Sequence, residues 1–323
     1  MKFLRENGAL VALILLVVIN GILNPGIFLQ PENLRNILNQ NVAPGILALG
    51  MTWVIITGGI DLSVGSALAF IGVVAVDTMN RFGPAGGTGV LIAIAVSVLL
   101  GLVAGWINGV VSVFGRVTPF VVTLVGLLAY RSAAQAYAQG GEVGAQNPLF
   151  QNLGTGGIPI PFIRSNDQPL VIYWSILVFF ALAILFAVLL RKTAFGRKVV
   201  AIGSNERAAH YSGVAVNRTR IGVYALMGFC TGLAALLLAS RMNGIATSTV
   251  GLYYELDAIA AVVVGGTVLR GGRGTIGGTV IGVLLLGVIQ NVLVILGVNN
   301  YLQGIVKGGI ILAAVLLQRG QSD

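Results

Sequence analysis

Residues 191–220 read RKTAFGRKVVAIGSNERAAHYSGVAVNRTR and lie between two long apolar runs, 170–190 and 221–239. The stretch carries seven cationic side chains: Arg191, Lys192, Arg197, Lys198, Arg207, Arg218 and Arg220. The rest of the chain is built to dissolve in lipid. Of its 323 residues 56% are hydrophobic and 9% charged, with a mean hydropathy of +0.94. That composition lies outside the range of soluble domains and describes a polytopic helical membrane protein. A charged, helix-competent loop of this size belongs on a water-facing side, and its placement decides how the apolar segments thread.

Across the chain, runs near the ~20 residues that span a bilayer fall at 8–28, 42–58, 64–79, 90–114, 119–137, 170–190, 221–239, 256–268, 276–296 and 301–317. The expected fold is therefore all-α: one transmembrane domain over 1–323 with about ten segments, some short or broken. Residues 30–41 read as a polar stretch and 139–168, rich in Gly, Pro and Asn, as a loop. The eighth segment is too short for an ordinary span and runs into Gly271, Gly272 and Gly274. Such interruptions are tolerated at membrane depth only where protein or water surrounds them. The N-terminal apolar run behind Lys2 and Arg5 lacks a small-x-small cleavage site and reads as an uncleaved first helix. With the N-terminus inside, the cytoplasmic side collects thirteen Lys and Arg against four outside. That asymmetry places both termini and 191–220 in the cytoplasm.

Several functions are excluded by inventory. The net charge of +9 sits in loops, as positive-inside topology requires, so no nucleic acid is called for. Cys230 stands alone, which rules out an intramolecular disulfide. None of Lys2, Lys192, Lys198 or Lys307 lies in a Gly-Lys-Ser/Thr context, so the chain has no phosphate-binding loop with which to hydrolyse ATP. Gly272 to Gly277 matches G-x-G-x-x-G formally but lacks a βαβ frame and the acidic residue expected downstream. His210 is the one histidine, so neither a metal cluster nor a His-based triad is expected. No catalytic, cofactor-binding or metal-ligating residue is assigned.

Within the polar stretch, Asn205 is placed to N-cap a short helix over 206–212, with Glu206 in its first turn and Gly213 ending it. Ala208, Ala209 and Tyr211 would form its contact surface; the alternative is an ordinary solvated loop. The octets 58–65 and 265–272 echo each other in placing Gly-Gly, Leu and Gly at one spacing. Either an internal repeat or chance in a chain with 46 glycines accounts for it.

The run Gly203-Ser-Asn-Glu-Arg-Ala-Ala-His-Tyr-Ser-Gly-Val214 resembles the coupling loop of ribose-type sugar permeases of bacterial ABC importers. Residues 57–66 (TGGIDLSVGS), residues 254–267 (YELDAIAAVVVGGT) and the tail through Tyr301 and Lys307 agree, so the resemblance covers nearly the whole chain. It implies a multi-pass permease of the bacterial inner membrane. Its partners would be a second permease subunit, a cytosolic ABC ATPase that binds the ATP and Mg, and a periplasmic sugar-binding protein. Gly203, Asn205, Glu206, Ala208, Ala209, Ser212 and Gly213 would form the coupling element that seats in the ATPase. Arg270 departs from the small or hydroxylated residue expected before the glycine pair.

Candidate residues for a translocation path are Asp61, Ser63, Asn108, Arg131, Glu255 and Asp257. Arg131, deep in the fifth segment, is either a functional charge or one that snorkels to the outer interface. Asp61 and Ser63 are placed to cap the third helix, Glu255 and Asp257 to cap the eighth or meet the binding protein. Asn108 either bonds a sugar hydroxyl or ties two helices. The rival function is an ion-coupled secondary transporter, which would need carboxylates deep in the membrane. Asp61, Asp77, Glu255 and Asp257 are expected near span ends.

Overall fold

The structure, a computed structural model, describes residues 8–165, 168–299, 302–306, 308–310 and 312. Helices α1 (Gly8–Leu23), α2 (Pro25–Phe28) and α3 (Pro31–Gln40) lead into α4 (Val42–Ile56), α5 (Val64–Phe82), α6 (Gly87–Phe114) and α7 (Pro119–Tyr137). Next come β1 (Glu142–Gly144), α8 (Asn152–Thr155), β2 (Gly157–Ser165) and β3 (Gln168–Tyr173). The chain continues as α9 (Trp174–Lys192), α10 (Ala194–Ser204), α11 (Glu206–Tyr211), α12 (Val216–Met242), β4 (Gly244–Ala246), α13 (Tyr254–Val264) and α14 (Ile276–Ile295). Of the tenth expected segment, 302–306 and 308–310 are helical; Lys2, Arg5, Lys307 and Arg319 lie outside the described residues. Among those described, α6, α9, α12 and α14 are long and apolar enough to cross a membrane, and α1 and α4 are shorter apolar helices.

The bundle forms around α4. Nearly every residue from Val42 to Ile56 is buried, as befits a helix that is apolar all round. Its Trp53 indole is held between Phe186 of α9, edge-on at 5.8 Å, and Phe195 of α10, stacked at 5.5 Å. Beside it, α6 and α12 meet along a seam of glycines spaced four apart, Gly101, Gly105 and Gly109 against Gly228 and Gly232. A Cβ at Gly105 would overlap the Tyr224 carbonyl, and one at Gly101 the Gly228 carbonyl. Backbones this close need glycine, and close backbone approach is what holds apolar helices together where no hydrophobic drive separates protein from lipid.

Three expectations change. The polar stretch 30–41 is mostly helix: Pro31 opens α3, where a missing N–H is harmless. Asn33 exchanges amide hydrogen bonds of 3.1 and 2.7 Å with Asn291 of α14. The loop 139–168 contains structure too. β1 pairs antiparallel with β4, and β2 with β3, so α9 starts at Trp174 rather than at 170. Alternation in GIPIPFIRS carries that signal, whereas Leu170 to Tyr173 of QPLVIY are apolar in succession and an apolar-run count takes them into the helix. Finally, α12 begins at Val216, so the end of the polar stretch is its first turn and a half.

Candidate functional site

One end of the bundle carries 191–220. Thr193 caps α10, its hydroxyl accepting from Gly196 N at 3.2 Å. Val199 and Ile202 are buried, and a Cβ at Gly203 would overlap the Ile56 carbonyl at the end of α4. Asn205 caps α11 as its sequence position predicts, Oδ1 accepting from Ala208 N at 3.0 Å. Gly213 comes next in left-handed conformation at φ 80°. Ala208, Ser212 and Tyr211 are exposed, Tyr211 by 89%. Ala209 is the exception to the expected contact surface, being buried with Ile202 and Val216. On a one-and-a-half-turn helix only one side can face outward, and Ala209 supplies the inward one. Glu206 accepts two bonds from Arg220 of α12, at 2.8 and 2.7 Å.

The second polar region lies inside the bundle, where two interrupted helices meet. Beyond α4 the chain makes a glycine cap, Gly59 N reaching Val54 O at 3.0 Å with Gly58 at φ 78°. It then runs back between helices. Asp61 is 2% exposed; its Oδ1 accepts from Ser63 N at 2.9 Å and Ser63 Oγ at 2.6 Å. Asn108 of α6 donates to Ser63 Oγ at 2.9 Å, and the Thr123 hydroxyl of α7 bonds Ile60 O at 3.3 Å. The N-cap position of α5 is Ser63, yet no side chain caps the helix: the Asp61 carboxylate closes the turn before it instead. Asn108 therefore ties α6 to this break.

From the far end, the bend 247–253 enters the bundle between β4 and α13. The Arg131 guanidinium holds it, one Nη1 donating to Thr247 O and Val250 O at 2.8 Å each. Arg131 thus ties α7 to this bend through chain carbonyls. Gly251 packs backbone against Gly65 of α5, and a Cβ at Gly65 would lie 2.5 Å from Glu255 Oε2. Tyr253 occupies the N-cap position of α13 at φ 63° without a side-chain cap bond, and Glu255 and Asp257 both stand in the first turn of that helix. Glu255 is 8% exposed and Asp257 half-buried on the same first turn. Two carboxylates expected near opposite span ends, Asp61 and Glu255, are thus buried within the bundle on either side of Gly65. The reason is that 59–63 and 247–253 both turn inward instead of remaining at the surface. Both nevertheless stand at helix ends, Asp61 before Val64 and Glu255 in the first turn of α13.

Sequence reasoning missed Tyr224, Thr123 and Gly251, and saw Gly65 only as part of the 58–65 echo. Tyr224 is buried, and its hydroxyl, 2.6 Å from where a Gly59 Cβ would stand, has no hydrogen-bond partner among the described residues. Its signal was its place one turn before Gly228, in the glycine spacing of α12. Nothing local marks Thr123. No group of His, Cys, Asp and Glu able to hold a metal occurs among the described residues.

Helical architecture with several long apolar helices describes a membrane-embedded protein. Residues 33–315 match the family described as branched-chain amino acid transport system permease components, and the chain belongs to that family. It is 42% identical over 324 residues to the ribose import permease protein RbsC of Bacillus subtilis, covering 99% of this chain and 94% of that one. It is 38% identical over 296 residues to the L-arabinose ABC transporter permease protein AraH of Azospirillum brasilense, covering 90% and 81%. To the galactose/methyl galactoside import permease protein MglC of Salmonella typhimurium it is 38% identical over 326 residues, covering 98% and 95%. No solved structure matches the chain. Family membership, rather than carboxylate position, separates a permease component from an ion-coupled transporter.

Proposed function

We propose that the chain is the membrane-spanning permease subunit of an ATP-driven ABC importer that carries a monosaccharide, a ribose-type pentose or a hexose, across the bacterial inner membrane. The observation that carries this reading is near full-length similarity to permeases named for ribose, arabinose and galactose. Residues 191–220 lie in the cytoplasm with both termini and seat in a cytosolic ATPase, which binds the ATP and Mg. A periplasmic sugar-binding protein delivers substrate, and a second permease subunit completes the pore. The preformed, capped α11, with Ala208 and Tyr211 outward, supports the docking role. Asp61, Ser63, Asn108, Arg131, Glu255 and Asp257 border the translocation path. Closure of the ATPases moves 191–220 and switches the side to which the cavity between the permeases opens.

The test is sugar uptake in cells carrying Gly213→Arg, with insertion and ATPase co-purification scored in parallel. Gly213 has open space around it but a left-handed backbone, so the substitution perturbs the end of α11 rather than the bundle. Loss of uptake and of ATPase association with normal insertion supports the reading. Uptake that persists without any ATPase overturns it.

A further inference from the structure

The Glu206–Arg220 pair differs from the other ion pairs described. Arg35–Glu32 and Arg81–Asp77 each lie within one helix, at i,i+3 and i,i+4, whereas Glu206 and Arg220 join α11 to α12 through two parallel bonds. With Arg220 30% and Glu206 50% exposed, the pair contributes little to folding. What a two-pronged guanidinium–carboxylate contact supplies is a fixed orientation between its elements.

Beyond Arg220 the contacts are continuous and stiff. Tyr224 lies one turn on, at i+4, over the same helix face, and its backbone and Cβ pack directly on Gly105 and Gly109 of α6. Asn108, between those glycines, bonds Ser63. The α12–α6 seam is packed through backbone at Gly101 and Gly105, and the Asn108–Ser63 side-chain bond carries a displacement of the start of α12 from that seam to the buried break. We propose that Arg220 is a positioning residue for coupling: its fork on Glu206 makes α12 follow α11, and so passes movement of the cytoplasmic loop to the Asp61–Ser63 break. The inference rests on the docking role of 191–220 and adds the route inward.

The experiment uses the full chain assembled with its ATPase and binding protein in proteoliposomes. Glu206→Arg, Arg220→Glu and the double exchange are compared, reading ATPase co-purification, ATP hydrolysis, and uptake of whichever of ribose, arabinose or galactose the unaltered chain moves. Each single reversal should lower uptake per ATP hydrolysed about tenfold, and the exchange should restore at least about half, because coupling between paired residues shows as non-additivity. Arg220→Lys, which keeps the charge but not the fork, should fall between. Single reversals without effect, or an exchange that restores nothing, overturn the proposal; the latter places Glu206 on the ATPase surface instead. An unaltered chain that binds no ATPase and moves no sugar would sink the docking reading itself.

Discussion

The two glycine-marked breaks, 57–63 and 265–275, begin alike and end differently. Each closes a helix with the same cap: Gly59 N reaches Val54 O at 3.0 Å, and Thr267 N reaches Val262 O at 3.1 Å. Gly58 at φ 78° and Gly266 at φ 89° occupy the equivalent turn position, one residue away from the register in which the sequences echo. After the cap, the first break turns inward, carrying Asp61 and Ser63 to Asn108. The second stays at the end of the bundle, where Gly272 N bonds Ile56 O at 2.9 Å beside Ser204. The shared glycines thus fix only the exit from the helix. The path of the chain beyond that exit depends on polar partners within the bundle, which the first break has and the second does not need.

Gly65→Val should disrupt the inward break most severely. Its side chain would overlap the Gly251 carbonyl and strike Glu255, and backbone cannot yield as a side chain can, so a loss of more than about 3 kcal/mol is expected. In detergent the variant should show no cooperative thermal transition near that of the parent. A transition within a few degrees would mean that the two inward segments are not in contact.

Asp61 tests the same region through its hydrogen bonds. Asp61→Leu leaves the Ser63 N–H and hydroxyl buried without their acceptor, at about 1–3 kcal/mol for each group. Asp61→Asn keeps a carbonyl oxygen able to accept both bonds and should cost under about 1 kcal/mol. Equal losses in thermal unfolding for Leu and Asn would show that the carboxylate's charge, rather than its acceptor geometry, holds the break. For the second break, Gly272→Ala places a Cβ at φ 78° and within 3.0 Å of Ser204 backbone, with an expected loss of about 1–3 kcal/mol. Uptake should drop with it, since this turn abuts α10; an unchanged melting temperature would mean the turn is free to move.

The helices were legible because periodicity and caps are local. Residues 119–137 form α7 to the residue, and Asn205 caps α11 where its spacing to Gly213 puts it. Legibility stopped where burial is set by distant segments. A continuous apolar run such as LVIY at 170–173 reads as a helix end, so the second strand of the hairpin was absorbed into the sixth span. Asp61 and Glu255 sit beside turns, and a turn reads as surface unless the partners that draw it inward are known. Those partners, Asn108 and Gly65, lie dozens of residues away along the chain. The contact of α6 with α12 had a visible sign in the i,i+4 glycines, though spacing alone does not say which helix faces which.

The mildest substitution should act with the opposite sign. Tyr224 brings a buried hydroxyl to Gly59 in the first break, where no described group accepts or donates to it. A buried hydroxyl without a partner loses its water and gains nothing in exchange, so Tyr224→Phe should stabilise the fold by about 1 kcal/mol. The ring, which fills the space between α12 and the break, is kept. If transport is unchanged and the melting temperature rises, the hydroxyl is a burden of the inward turn alone. If the melting temperature falls, the hydroxyl has a partner after all, and the first break is held by more than Asp61, Ser63 and Asn108. If stability rises while uptake is lost, the hydroxyl acts only in another state of the cycle, when the break opens and a sugar or water reaches it.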